Sequence, residues 1–90
     1  MLPEVKKLLK KKVNTFDEII GWYGTIAIIS AYALVSFNFI VVDSIVYQLM
    51  NLTGGLGIIY ISLLRKVYQS VVLNIIWALI AIIAIIKILM

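Results

Sequence analysis

The chain has 90 residues, of which 64% are hydrophobic and only 13% are charged, and its net charge is +4. A water-soluble protein of this size exposes most of its residues and could not hide so much apolar surface, which excludes an ordinary soluble domain. The sequence has no cysteine and no histidine, so it lacks a disulfide framework and the commonest metal ligand and general base; we expect no enzyme, no metal site and no cofactor.

The first predicted element is a basic amphipathic helix over Leu2–Phe16, within an N-terminal segment of residues 1–18. Pro3 suits a first helical turn. Four apolar residues fall near one helical face: Val5, Leu8, Leu9 and Val13. Five lysines cover the rest and are candidates for contact with anionic lipid headgroups: Lys6, Lys7, Lys10, Lys11 and Lys12. The pattern fits either such a contact with lipid or a partner protein, or a simple topology signal; we expect no nucleic-acid partner.

Three apolar stretches follow and make up a predicted transmembrane domain of residues 19–90. They run over about residues 19–42, 44–64 and 68–90, and charged residues mark most of their limits. Each stretch has the roughly 20 residues that a helix needs to cross about 30 Å of hydrocarbon. Backbone groups must be hydrogen-bonded inside lipid, so even the many β-branched residues are expected to be helical there. The predicted fold is all-α, with three transmembrane helices after one short amphipathic helix.

The distribution of lysine and arginine predicts the orientation. The N-terminal segment has five of these residues, the loop at Arg65–Lys66 has two, and the loop at Asp43 has none. Because basic loops stay in the cytoplasm, we expect a cytoplasmic N-terminus and an external C-terminus in a prokaryotic plasma (inner) membrane. A signal peptide cleaved near Ala33 is disfavoured, because Asp17 and Glu18 interrupt the basic region and the apolar stretch continues past that site.

Small residues recur on all three spans. Glycine lets helix backbones approach closely in lipid and also weakens a helix, so a glycine cluster indicates either a packing seam or a bend beside a cavity. The helix-packing candidates of the second and third spans are Gly54, Gly55, Gly57, Ala78 and Ala81. The first span has a similar row at helical spacing: Gly24, Ala27 and Ala31.

Asn51, Asn74 and Trp77 are the polar candidates inside the membrane. Each asparagine falls about one turn inside a predicted membrane boundary, and Trp77 lies deeper. An amide away from water needs a hydrogen-bond partner. These residues are therefore predicted either to form interhelical hydrogen bonds, typically below about 2 kcal/mol each, or to line a polar pocket on a solute path.

Three pieces of the chain, in this order, resemble a family of small uncharacterised bacterial membrane proteins: Tyr32–Phe37, Tyr47–Gly54 and Ser70–Ile80. Together they cover about half of the chain. The resemblance implies a small membrane protein with three helices and implies no particular activity.

The chain resembles, more distantly, the SemiSWEET and PQ-loop half-transporters. Gly54 matches a glycine in their second helix, Arg65 matches a loop base, and Asn74 matches the third-helix asparagine that lines the sugar pocket of SemiSWEETs. The resemblance implies that the third span packs between the first two and that two chains pair around a central polar path. The Pro-Gln pair of that group is replaced by Phe39–Ile40, and the first helix of that family starts outside, opposite to the orientation expected here.

Two classes of function remain open. The leading hypothesis is a homodimeric half-transporter for an unknown small solute, in which Asn51 and Asn74 face a shared water-filled cavity. The second is a non-transporting structural or accessory membrane subunit, in which the same amides are bonded inside a dry interface. A holin-like pore former ranks last, because such proteins usually end in a charged tail and this chain ends in Ile88–Met90.

Overall fold

The structure is a computed structural model that describes residues 2–90, with side chains from residue 3 onward; Met1, at the start of the predicted segment 1–18, lies outside the described residues. The chain forms four helices in this order: α1 (Leu2–Lys10), α2 (Thr15–Ser36), α3 (Ile45–Leu64) and α4 (Tyr68–Leu89). The last three are long and apolar enough to cross a membrane. The prediction of an all-α fold with three spans after a short helix is therefore confirmed.

Helix α2 begins at Thr15, earlier than the predicted first span, because Asn14 caps it. The backbone N–H of Asp17 donates to Asn14 Oδ1 at 2.9 Å, and the backbone N–H of Asn14 donates to Asp17 Oδ2 at 3.1 Å. This reciprocal capping box satisfies two amides that a helix start would otherwise leave unpaired. Asp17 and Glu18 consequently lie in the first turn of α2 rather than in the segment before it.

Helix α2 also ends earlier than hydropathy predicts, at Ser36 rather than at residue 42. Asn38 has a φ of 64°, in the left-handed region that asparagine tolerates better than most residues, and this turns the chain away from the helix axis. The apolar residues that follow form part of the connection to α3. Ser44 starts the next helix, since its Oγ accepts the backbone N–H of Tyr47 at 3.2 Å.

Helix α3 lies in the middle of the bundle. It packs against α2 on one side and α4 on the other, and α1 also contacts it, whereas α2 and α4 do not contact each other within the described residues. The expectation that the third span would lie between the first two is therefore wrong. The reason is in the glycines: Gly54 and Gly57 open one face of α3 to α2, and Gly55 opens another face to α4.

Small and polar side chains fill the interior, and large apolar side chains cover the outside. The buried residues of the spans include Ala27, Ala31, Ala78, Ala81, Gln48, Asn51, Ser62 and Asn74. Isoleucines, leucines and aromatic residues are exposed along all three long helices. In water such a surface would drive aggregation, whereas in lipid it faces a solvent of its own polarity while close packing holds the helices together. This is the organisation of a membrane protein.

Candidate functional site

Asn51 forms a hydrogen bond across the interface between α3 and α4. Its Oδ1 accepts the indole N–H of Trp77 across the interface at 3.2 Å, and its Nδ2 donates to the backbone carbonyl of Tyr47 one turn earlier at 3.2 Å. Asn51 is 5% exposed. The interhelical bond stabilises the packing of α3 against α4, because a buried amide oxygen that loses its water and gains no donor costs free energy.

Asn74 lies on the same interface but has different partners. Its Nδ2 donates to the backbone carbonyl of Ser70 at 2.9 Å and lies 3.4 Å from Ser70 Oγ. Ser62 Oγ donates to Ser70 Oγ at 2.8 Å, which links α3 to α4 near the short turn between them. The structure thus brings Asn51 to Trp77 but leaves Asn74 in a separate serine-centred network.

Two clefts open beside Asn51. One of about 190 Å³ lies between α3 and α4 and is lined by Val42, Tyr47, Gln48, Asn51, Trp77, Ile80 and Ala81. The other, of about 280 Å³, lies over α3 between α2 and α4 and is lined by Ile28, Ile29, Tyr32, Tyr47, Asn51 and Trp77. Asn74 lines neither of these two clefts.

The contact between α2 and α3 is made backbone to backbone. A Cβ built on Gly24 would lie 2.5 Å from the carbonyl oxygen of Gly54, and one built on Gly57 would lie 2.9 Å from the carbonyl oxygen of Ile20. Only glycine allows helices to approach this closely in lipid. On the α4 side the fit is looser, because a Cβ on Gly55 would lie 3.7 Å from the carbonyl oxygen of Asn74 and 4.0 Å from Cβ of Ala78.

Asp17 is the centre of a charged cluster at the end of the bundle where α2 begins and α3 ends. It has no exposed surface. Lys11 Nζ lies 2.7 Å and 2.9 Å from its two carboxylate oxygens, and the hydroxyl of Tyr60 donates to Oδ1 at 2.7 Å. The hydrogen bonds with the Asp17 carboxylate and with Tyr60 raise the pKa of Lys11 above its usual value. This Lys11–Asp17–Tyr60 cluster ties the segment after α1 to both α2 and α3.

A second ion pair lies beside the cluster. Arg65, which caps the C-terminal end of α3, pairs through Nη2 with Glu18 Oε1 on the first turn of α2. Glu18 stands at a helix N-terminus and Arg65 at a helix C-terminus, so each charge also has the sign that its helix dipole favours.

The predicted membrane-surface lysines fall into two groups. Lys6, Lys7, Lys10 and Lys12 are exposed on or just after α1, where the apolar side chains of the helix turn partly inward and α1 contacts α3. Lys11 instead turns its amine to Asp17 and Tyr60. Within the described residues the amines of the first four lysines form no ion pair, while the charge of Lys11 is compensated by Asp17.

Sequence reasoning missed the Lys11–Asp17–Tyr60 cluster. Hydropathy treats Asp17 as the limit of a span, and no periodic pattern connects it to Tyr60, which lies 43 positions away. The available signal was the pair Asn14 and Asp17, spaced as a capping box requires, which would have placed Asp17 inside the helix.

Comparison with known proteins adds one result. A family model matches residues 17–90, which include all of α3 and α4 and nearly all of α2. The chain belongs to that family. The function of the family is unknown, and the match to it does not support the more distant resemblance to SemiSWEET proteins. No curated protein and no solved structure matches the chain significantly.

The family match covers most of the residues described above and leaves out α1 and Lys11. Within the family region lie Asn51, Trp77, both ion-paired acids and the glycine seam between α2 and α3.

Proposed function

We propose that the chain is a structural or accessory subunit in a prokaryotic plasma membrane, with no transport or enzymatic activity of its own. The observation that carries this proposal is that both intramembrane asparagines have partners inside the fold: Asn51 with Trp77 and Tyr47, and Asn74 with Ser70. A polar group that serves a solute must exchange its partner for the solute. Amides bonded to backbone carbonyls and to a neighbouring helix instead stabilise one packing arrangement.

The proposal includes an orientation and a set of partners. The charged end, with the N-terminus, faces the cytoplasm, and the C-terminus lies outside. Lys6, Lys7, Lys10 and Lys12 rest on anionic headgroups, each contributing roughly 1 kcal/mol. The apolar outer faces of α2 and α4 are free to meet other membrane helices, a second copy of the chain first among them, to form a homodimer.

The alternative is a homodimeric half-transporter, and one observation favours it. Asn51 Nδ2 has two hydrogens, and only one bond from it is formed within the described residues. The second hydrogen is available to a molecule in either cleft beside Asn51. In this alternative a second copy would close the groove between α2 and α4 and convert it into a polar path.

Single cysteines probed with membrane-impermeant thiol reagents separate the two functions, since the chain has no cysteine of its own. Ile80→Cys and Tyr47→Cys place the probe in the clefts beside Asn51 without disturbing the glycine seam. Asp43→Cys and Lys66→Cys, in the two loops, are the accessible controls, and Leu56→Cys on the exposed face of α3 is the lipid-facing control. A structural subunit leaves position 80 as unreactive as position 56, whereas position 47, in the first turn of α3, is reached from the external side alone.

Labelling of positions 47 and 80 from both sides of the membrane would overturn the structural proposal and establish a water-filled path. Labelling of both positions from the external side alone would fit a shallow outer vestibule. In that case, the absence of solute flux through the reconstituted protein would exclude a path across the membrane. We expect both loop positions to be labelled, position 80 to stay unlabelled, and position 47 to be labelled from the external side alone.

A further inference from the structure

A cleft of about 280 Å³ lies between α2 and α3 at the charged end of the bundle, apart from the two clefts beside Asn51. It is lined by Glu18, Gly21, Trp22, Thr25, Ile61 and Arg65. Gly21 contributes its backbone to the cleft wall, and a Cβ there would lie 2.9 Å from Cγ2 of Ile61. The two helices therefore meet closely at Gly21 and leave a furrow along their outer side.

The cleft has opposite charges at one end. The side chains of Glu18 and Arg65 form an ion pair but remain 39% and 52% exposed. A guanidinium group has five N–H donors in a fixed fork, and within the described part of the chain Glu18 is its one ionic partner. Several donors of Arg65 and the second oxygen of Glu18 are therefore left for a ligand that carries both an anion and a cation.

The remainder of the cleft is suited to an acyl chain. Its lining is mostly apolar, and the hydroxyl of Thr25 is already bonded to the carbonyl oxygen of Gly21 at 3.0 Å. Trp22 forms one wall and is largely exposed, as tryptophan commonly is at the boundary between headgroups and hydrocarbon. A charged end followed by an apolar furrow at the end of a membrane span has the polarity of a phospholipid.

We propose that this cleft binds one phospholipid with a zwitterionic headgroup that bears a primary amine, namely phosphatidylethanolamine. The phosphate accepts from Arg65, whose planar fork matches phosphate oxygens, and the ammonium donates to Glu18. One acyl chain lies along Gly21 and Ile61, with Trp22 against the glycerol region. The inference goes beyond the proposed function, because a structural subunit and a transporter would both have this cleft.

The chemistry of the cleft also separates this lipid from its neighbours in a bilayer. Phosphatidylcholine has the same charges but no N–H on its cation, so it cannot donate a hydrogen bond to Glu18. Phosphatidylglycerol has no cation at all, and its negative charge would be opposed by Glu18. The exposed lysines of α1 would favour phosphatidylglycerol, so selectivity for ethanolamine is the signature of the cleft rather than of the basic segment.

Quenching of Trp22 fluorescence by brominated lipids tests the proposal with the full chain in vesicles. The chain has two tryptophans, so the signal of Trp22 is the difference between the wild type and Trp22→Phe, in which Trp77 keeps its bond to Asn51. Brominated phosphatidylethanolamine should displace phosphatidylcholine near Trp22 with a preference of about two- to fivefold, the range that exposed charged contacts give.

The double variant Glu18→Gln/Arg65→Gln should abolish this preference, since its two amides can still bond to each other and hold α2 to α3. Lys66→Gln, which removes the adjacent charge outside the cleft, should leave the preference unchanged. Equal quenching by all three lipids would mean ordinary solvation by the bilayer and would overturn the proposal. A preference for phosphatidylglycerol, or a preference for ethanolamine that survives in the double variant, would overturn it as well.

Discussion

Asp17 shows how a single charged residue can be placed at the end of a membrane span without exposure to water. A buried carboxylate is costly unless it is paired and hydrogen-bonded. Asp17 meets both conditions, because its carboxylate pairs with the amine of Lys11 and accepts hydrogen bonds from the hydroxyl of Tyr60 and the backbone N–H of Asn14. Lys11 and Asn14 lie in the segment between α1 and α2, and Tyr60 lies on α3, so the carboxylate on α2 connects that segment to helix α3.

Lys11→Gln should therefore lower the thermal unfolding midpoint of the purified protein in detergent by several degrees. The substitution leaves Asp17 buried without its cation, which is the costly way to break such a pair. Lys12→Gln is the matched control, because this neighbouring lysine is exposed and forms no ion pair within the described residues. Equal midpoints for the two variants would show that Lys11 contributes no more than a surface charge.

The contribution of Lys11 should also depend on pH in a defined direction. Its pKa is raised above the usual value of 10.5, first by the hydrogen bond with Asp17 and next by that with Tyr60. A group with a raised folded-state pKa stabilises the fold fully below its unfolded pKa and loses that effect as pH rises through the folded value. The difference in midpoint between wild type and Lys11→Gln should be constant at neutral pH and shrink only above pH 10.5.

At the scale of helices, α3 takes the central position because it alone has glycines on two faces. Gly57 and Gly54 meet the backbone of α2, whereas Gly55 meets α4 with ordinary van der Waals spacing. The other two spans have one row of small residues each, Ala27 and Ala31 on α2 and Ala78 and Ala81 on α4, and each row is buried. A helix with one such row can pack closely against one neighbour, and α3 can accept two.

Gly57→Ala should destabilise the protein by roughly 1–3 kcal/mol, the usual cost of forcing a methyl group into a packed contact. The added Cβ would lie 2.9 Å from the carbonyl oxygen of Ile20, and backbone cannot move aside as a side chain can. Gly55→Ala, with 3.7 Å to its nearest neighbour, should be neutral or stabilise by about 0.4–1 kcal/mol. Unfolding titrations in mixed micelles measure both, and similar losses for the two variants would contradict this assignment of faces.

The sequence was sufficient for the number and kind of helices but not for their order in space. Hydropathy located three apolar stretches, because a span needs only length and apolarity. It could not locate the end of α2 at Ser36, since residues 39–42 are as apolar as the helix before them, and the turn depends on the left-handed conformation of Asn38. The helix order implied by the SemiSWEET resemblance, with the third span in the middle, is wrong. That resemblance compared single residues such as Asn74, whereas the glycines on two faces of α3 decide which helix lies in the middle.

The candidate site was predictable in its residues and not in its contacts. Asn51, Asn74 and Trp77 stood out as polar groups in apolar stretches, yet no pattern showed that Trp77 bonds Asn51 while Asn74 turns to Ser70. The bond from Trp77 to Asn51 depends on the rotation of α4 about its axis, at which Ala78 and Ala81 are buried, whereas the bond from Asn74 to Ser70 is made within α4 itself. Hydropathy does not report the rotation of a helix about its axis.

At the scale of the whole molecule, the two ends of the bundle differ in charge. Helix α1, the start of α2 and the end of α3 meet at one end, where Lys11 and Arg65 are paired with Asp17 and Glu18. The remaining cations at that end are Lys6, Lys7, Lys10, Lys12 and Lys66. The other end has Asp43 in its loop and Lys87 on the last turns of α4. Since orientation follows lysine and arginine near the spans rather than net charge, this asymmetry favours a cytoplasmic location for the charged end.

Reporter fusions should place the two ends on opposite sides of the membrane. A fluorescent protein that folds only in the cytoplasm should be bright at the N-terminus and dark at the C-terminus, and an enzyme that is active only outside should give the reverse pattern. Replacing Lys6, Lys7, Lys10 and Lys12 together with glutamine should yield a mixture of orientations, because it removes most of the basic bias while the Lys11–Asp17 pair stays intact. Lys87→Gln, the matched control at the opposite end, should change nothing. If the external reporter is active at the wild-type N-terminus, the orientation is the reverse of the one expected. The phospholipid cleft at Glu18 and Arg65 would then lie in the outer leaflet.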